Sequence, residues 1–100
     1  MSAKVLTPEQ IQEYKDSLPK MHLDEQQEGR ALEFIDVLEG CEGNLTSAGR
    51  VMVRRTGTEL IRWSSKPISI SLDDFCLWAK GLKKIAVYYD TPNNDLMGEF

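Results

Sequence analysis

The stretch that decides the fold spans residues 24–40 and reads DEQQEGRALEFIDVLEG. Asp24 with Gln27 three positions later is a capping-box pattern, and Gly40 is a typical helix terminator, so the stretch is predicted to be a helix. One face of this helix is apolar and is expected to meet the core. Its members are Ala31, Phe34, Ile35, Val37 and Leu38. The opposite face carries one apolar residue among carboxylates. Its members are Glu25, Glu28, Leu32, Asp36 and Glu39, with Glu33 at the margin.

Two further helices are predicted from similar signals. Thr7, Pro8 and Gln10 begin the first one as a capping box with proline at the first helical position, and Pro19 ends it. Ser71, with Asp74 three residues later, begins the last one. The core face of that last helix is expected to contain Leu72, Phe75, Cys76, Ala79 and Leu82.

Residues 50–63 are predicted to form a β-hairpin. The runs 50–55 and 58–63 are rich in β-branched and long side chains, and Thr56-Gly57 separates them. The alternative is a helix over 46–55 that follows a turn at 41–44, which would make a helix-turn-helix with the acidic helix first. Gly49 and the alternation of Val51 with Val53 favour the strand.

The predicted fold class is α+β, with two N-terminal helices, a β-hairpin and a third helix packed on a small antiparallel sheet. A short extended segment at 68–70 and a closing strand at 85–89 are the other β elements, and residues 91–95 have turn chemistry. The 100 residues are expected to form one domain in which 1–6 and 91–100 are flexible.

Charge is sorted along the chain. Residues 1–43 carry ten acidic and four basic side chains, whereas 44–84 carry eight basic and three acidic ones. The remaining residues add three acids, which gives the net charge of −4. Such asymmetry indicates surfaces that attract different partners or that attract each other.

The sequence carries no recognisable catalytic, metal-binding or cofactor-binding set. His22 is the only histidine and lies between two predicted helices, and Cys41 with Cys76 are the only cysteines. Neither phosphate-binding glycine motif occurs, and no nucleophile motif accompanies the histidine. We therefore predict no enzyme, no metal and no cofactor. Without a membrane span or a secretion signal, the expectation is a cytoplasmic protein with free thiols and no membrane partner.

The leading functional hypothesis is a small intracellular regulator or inhibitor that binds a larger protein. Chains of this size and type are common among phage-borne and mobile-element inhibitors. An acidic helix can imitate the charge of a nucleic-acid backbone, so the partner could be a protein that normally holds nucleic acid. The candidate protein-binding residues are Glu25, Glu28, Leu32, Glu33, Asp36 and Glu39.

Two alternatives stay open at this point. One is a nucleic-acid-binding module that uses the basic hairpin 50–66, in which arginines contact phosphates and a tryptophan stacks on a base. Its candidate residues are Arg50, Arg54, Arg55, Arg62, Trp63 and Lys66. The other is a structural homodimer completed by the hairpin edge or by apolar helix faces, which is suggested by the apolar residues Met52, Ile61 and Trp63 on one hairpin face.

Overall fold

A computed structural model describes residues 5–57 and 64–100 of the chain. Within those ranges the fold is mixed α+β, as predicted, with four α-helices and a two-stranded antiparallel sheet. The elements are α1 (Pro8–Ser17), a 3-10 helix (Leu18–Met21), α2 (Glu25–Gly40), α3 (Leu45–Arg55), α4 (Leu72–Ala79), β1 (Ala86–Tyr88) and β2 (Leu96–Glu99). None of these helices is both long enough and apolar enough to cross a membrane.

The predicted helix starts are confirmed by hydrogen bonds. The Thr7 hydroxyl accepts from the Gln10 amide at 3.2 Å, and the Gln10 side chain accepts from the Thr7 amide at 2.9 Å. Asp24 and Gln27 form the same reciprocal pair at 2.7 and 3.1 Å. At the start of α4, Ser71 caps the helix through its hydroxyl. Each cap satisfies amides that have no partner within the helix, so these short local patterns determine where the helices begin.

The core is built around α2. All five residues of its predicted apolar face are buried. Phe34 contacts an aromatic cluster in which its ring centroid lies 5.0 Å from that of Trp78 and 5.7 Å from that of Phe100. Phe75 completes the cluster and stacks on Tyr14 of α1 at 4.5 Å. The core therefore fixes α2 between α1 and α4, and its acidic side faces outward.

The prediction of a strand in the first arm of the hairpin is wrong, because residues 50–55 belong to helix α3. The second arm, 58–63, lies outside the described residues. The turn-and-helix alternative matches the observed structure, because Asn44 caps α3 by accepting from the Ser47 amide at 3.0 Å. Gly49 allows the Ile68 side chain to pack closely against α3, because a Cβ at position 49 would lie 2.4 Å from that side chain. Met52, which the homodimer alternative places on a contact face, is only 5% exposed and lies in the core.

The core face predicted for the last helix is correct only in part. Phe75 and Ala79 are fully buried, whereas Leu72 is 36% exposed and Cys76 is half-buried. Leu82 is 72% exposed because α4 ends at Ala79, before that residue. Trp78, which the predicted face omits, is fully buried.

The C-terminal residues close the sheet. The predicted strand at 85–89 is present as β1, which pairs antiparallel with β2. The sequence indicates no strand within 91–100, yet β2 lies there, and Phe100 exchanges two backbone hydrogen bonds with Ile85 at 3.0 Å. The segment 68–70, expected to be extended, supplies Ile68 and Ile70 to the core.

Candidate functional site

The solvent-facing side of α2 contains most of the predicted protein-binding residues. Because side chains three or four positions apart share a face of a helix, Glu25, Glu28, Leu32 and Asp36 lie along one stripe, which we call the outer face of α2. All four are exposed, and Leu32 has 47% of its surface accessible to solvent. The outer face is thus an apolar side chain between carboxylates, in the arrangement predicted from the sequence.

The other two predicted residues take part in ion pairs with neighbouring helices. Glu33 contacts Arg55 of α3 at 3.1 Å, and Glu39 contacts Lys15 of α1 at 2.9 Å. Glu33 and Glu39 therefore link α2 to its neighbours. No ion pair forms at the outer-face carboxylates with any residue of 5–57 or 64–100. The outer face therefore presents three exposed carboxylates, Glu25, Glu28 and Asp36, that have no ion pair among those residues.

The surface between α1 and α2 is indented. Around Lys15, the described part of the chain forms three open depressions, two of which have volumes of about 410 and 540 Å³. Leu32 borders two of them and Glu39 borders two. We call these depressions together the α1–α2 groove. Its apolar lining includes Leu6, Pro8, Ile11, Leu18, Pro19 and Leu32.

The described members of the predicted nucleic-acid-binding set do not form a hairpin surface. Arg50, Arg54 and Arg55 lie on α3, where Arg50 is half-buried and Arg55 is paired with Glu33. Lys66 lies beside β1, where its amide donates to the Tyr88 carbonyl at 2.9 Å and its side chain contacts Asn94. Two further members of the predicted set, Arg62 and Trp63, lie outside the described residues.

Among the described residues, the two groups with perturbed pKa values, Tyr14 and Asp74, lie away from the outer face. Burial raises the pKa of Tyr14 to about 12, with a smaller contribution from the charge of Asp74, and its hydroxyl donates to the Ile70 carbonyl at 3.2 Å. The hydrogen bond from Lys83 lowers the pKa of Asp74. Each shift moves the pKa of the group further from pH 7, so neither residue is suited to exchange a proton at neutral pH.

Two basic residues that the sequence does not single out have defined roles. Lys15 borders all three depressions of the groove. The one sequence feature that could have indicated this position is that Lys15 directly follows Tyr14 on an amphipathic helix. Arg30 lies over the Trp78 ring, 4.4 Å from its centroid, and donates to the Trp78 carbonyl. Gln27 donates to the nearby Lys80 carbonyl at 3.2 Å. These side chains of α2 satisfy carbonyls at the end of α4, where a positive charge also favours the helix dipole.

In comparisons with known proteins, neither a family model, nor a curated protein, nor a solved structure matches this chain.

Proposed function

We propose that the protein is a small regulator or inhibitor, without catalytic activity of its own, that binds a larger protein through the outer face of α2. The observation that carries the proposal is the exposure of Leu32 between carboxylates that have no ion pair among the described residues. A leucine at the centre of a contact supplies apolar burial, and the surrounding carboxylates select a basic partner surface and speed the encounter.

The chemistry of the outer face favours a protein partner over nucleic acid or an anionic membrane. Its carboxylates repel phosphate, whereas lysine- and arginine-rich surfaces attract them. A surface that normally holds nucleic acid has the required basic charge, so we infer that the partner is a nucleic-acid-binding protein whose site the acidic helix occupies. We further propose that the protein acts in the cytoplasm and is one of the small inhibitors that phages and mobile elements carry.

Affinity capture with matched variants tests the proposal. Glu28→Gln combined with Asp36→Asn removes two charges from the outer face, and Leu32→Ala removes its apolar side chain. As a control, Glu13→Gln combined with Asp90→Asn removes two exposed charges elsewhere. We expect a nuclease-resistant partner that the wild type and the control capture and that both outer-face variants lose. Capture of the same partner by the outer-face variants would contradict the proposal.

The second candidate function is nucleic-acid binding through α3. The observation that favours it is that α3 follows α2 after the turn at 41–44 and carries Arg50 and Arg54 one turn apart. Phosphate contacts weaken steeply with salt, so Arg54→Ala would reduce the salt dependence of binding to duplex DNA. Binding that does not depend on salt would exclude this candidate.

A further inference from the structure

Lys15 is the cation at the centre of the α1–α2 groove. It borders all three depressions, and its ammonium lies 2.9 Å from the Glu39 carboxylate. Acidic side chains dominate the rest of the charged lining: Glu28, Glu33, Asp36, Glu39 and Glu42. Lys15 therefore neutralises part of an otherwise acidic surface.

The pair between Lys15 and Glu39 is easy to exchange. Both side chains are partly exposed, at 38% and 49%. Exposed ion pairs contribute little to stability, because each charge is well solvated when the pair is open. A cation from another molecule can therefore replace Lys15 on Glu39 with little loss to the fold.

We propose that a basic amphipathic segment of the partner occupies the α1–α2 groove, with an apolar side chain against Leu32 and a cation that replaces Lys15 on Glu39. This inference rests on the proposed function and specifies its partner. The complementarity is twofold, because the groove has exposed apolar side chains at Pro8, Pro19 and Leu32 and carboxylates beside them. A helix with apolar residues on one face and basic residues beside them matches both features. Lys15 then acts as an internal competitor that limits affinity for this segment.

Fluorescence anisotropy with a defined probe tests the inference. The probe is a labelled amphipathic peptide of about 16 residues, with leucine at every third or fourth position and lysine between. Lys15→Met keeps the apolar stem and removes the cation, so we expect about two- to fivefold tighter binding at about 0.15 M ionic strength, where the Debye length is about 8 Å. The matched control is Lys83→Met, which makes the same change in net charge and breaks a similar exposed pair, Lys83 with Asp74 at 2.8 Å, outside the groove.

The control is expected to change the affinity by less than about 1.5-fold, because distant charges are screened. The gain from Lys15→Met should disappear when Glu39→Gln is added, since the carboxylate that accepts the cation is then lost. Equal effects of Lys15→Met and Lys83→Met, or a gain that persists with Glu39→Gln, would overturn the inference.

The outer-face variant Glu28→Gln with Asp36→Asn separates this inference from the proposed function. If that variant weakens probe binding while Lys15→Met has no specific effect, the outer face binds a basic partner and the role of Lys15 is wrong. If the outer-face variant binds as tightly as the wild type, the proposed function itself fails. A probe that does not bind the wild type overturns both.

Discussion

Gly43→Ala is expected to destabilise the protein because the turn between α2 and α3 lies directly against the segment that leads into α1. The Leu6 amide donates to the Gly43 carbonyl at 2.8 Å, and Gly43 has a φ of +81°. A Cβ at this position would lie 2.1 Å from the Leu6 carbonyl oxygen, which is a backbone atom and cannot rotate away. The substitution therefore forces Leu6 out of its place at one end of the groove.

Three contributions determine how far Gly43→Ala lowers the free energy of unfolding. Left-handed backbone costs an alanine about 1–2 kcal/mol. Loss of the Leu6 hydrogen bond costs about 1 kcal/mol. Leu6 is 4% exposed, and complete loss of its burial would cost about 1.5–3 kcal/mol. Because Leu6 can recover some of these contacts elsewhere, we expect the free energy of unfolding to fall by about 3–5 kcal/mol.

Gly81→Ala is the matched control, because Gly81 has nearly the same φ, +78°, and a Cβ there would meet only the Gln27 side chain at 4.0 Å. It should cost about 1–2 kcal/mol, from the backbone conformation alone. Urea denaturation followed by far-ultraviolet circular dichroism measures both changes. Equal destabilisation by the two substitutions would refute the close approach of Leu6 to Gly43.

Four other changes probe separate parts of the structure, and three are measured by urea denaturation. Arg30→Met should lower the free energy of unfolding by about 1–3 kcal/mol, because the Trp78 carbonyl loses a charged donor. Phe100→Ala should lower it by about 3–5 kcal/mol through loss of a buried ring. Gly29→Ala should raise it by about 0.5–1 kcal/mol, since a Cβ on that face of α2 meets no atom within 4 Å. The raised pKa of Tyr14 favours folding below pH 10.0, and this contribution is lost as the pH rises through about 12. Between pH 10.0 and about 12, the free energy of unfolding of Tyr14→Phe should therefore fall less than that of the wild type. An equal fall for both proteins in a pH series would contradict the raised pKa of Tyr14.

The helices that the sequence predicts well are those with local start signals. Thr7 and Asp24 each find their partner three residues later, so the information lies within one turn of the helix. The acidic outer face of α2 was also predictable, because amphipathic periodicity separates the side chains that pack from those that face solvent.

Helix α3 was not predicted because Gly49 lowers the local helix propensity, although tertiary packing requires a glycine there. Gly49 allows the side chain of Ile68, which is distant in the sequence, to pack against the helix. Glycine disfavours a helix when only the neighbouring residues are considered, and the packing of Ile68 is not visible in them. A helical signal was nevertheless present, because the buried residues of α3 recur at the spacing expected for one helix face. They are Leu45, Ala48, Gly49, Met52 and Val53.

The sheet and the groove depend on contacts between distant residues. Strand β2 is four residues long, contains Gly98, and is defined by its pairing with β1. The position of Lys15 in the groove depends on how α1 packs on α2, which no pattern within α1 specifies. Such features follow from tertiary packing, and a single sequence offers only weak local signals for them.

Site-specific photo-crosslinking in the native cell tests whether the outer face of α2 contacts a protein partner. A contact there would contradict an outer face that stays solvent-exposed in the cell. A photo-reactive amino acid at position 32 reports on the outer face of α2, and the same group at position 82 reports on the more exposed Leu82 after α4. We expect a protein adduct from position 32 that Glu28→Gln with Asp36→Asn abolishes, and no such adduct from position 82. Crosslinking from position 82 but not from position 32 would contradict it.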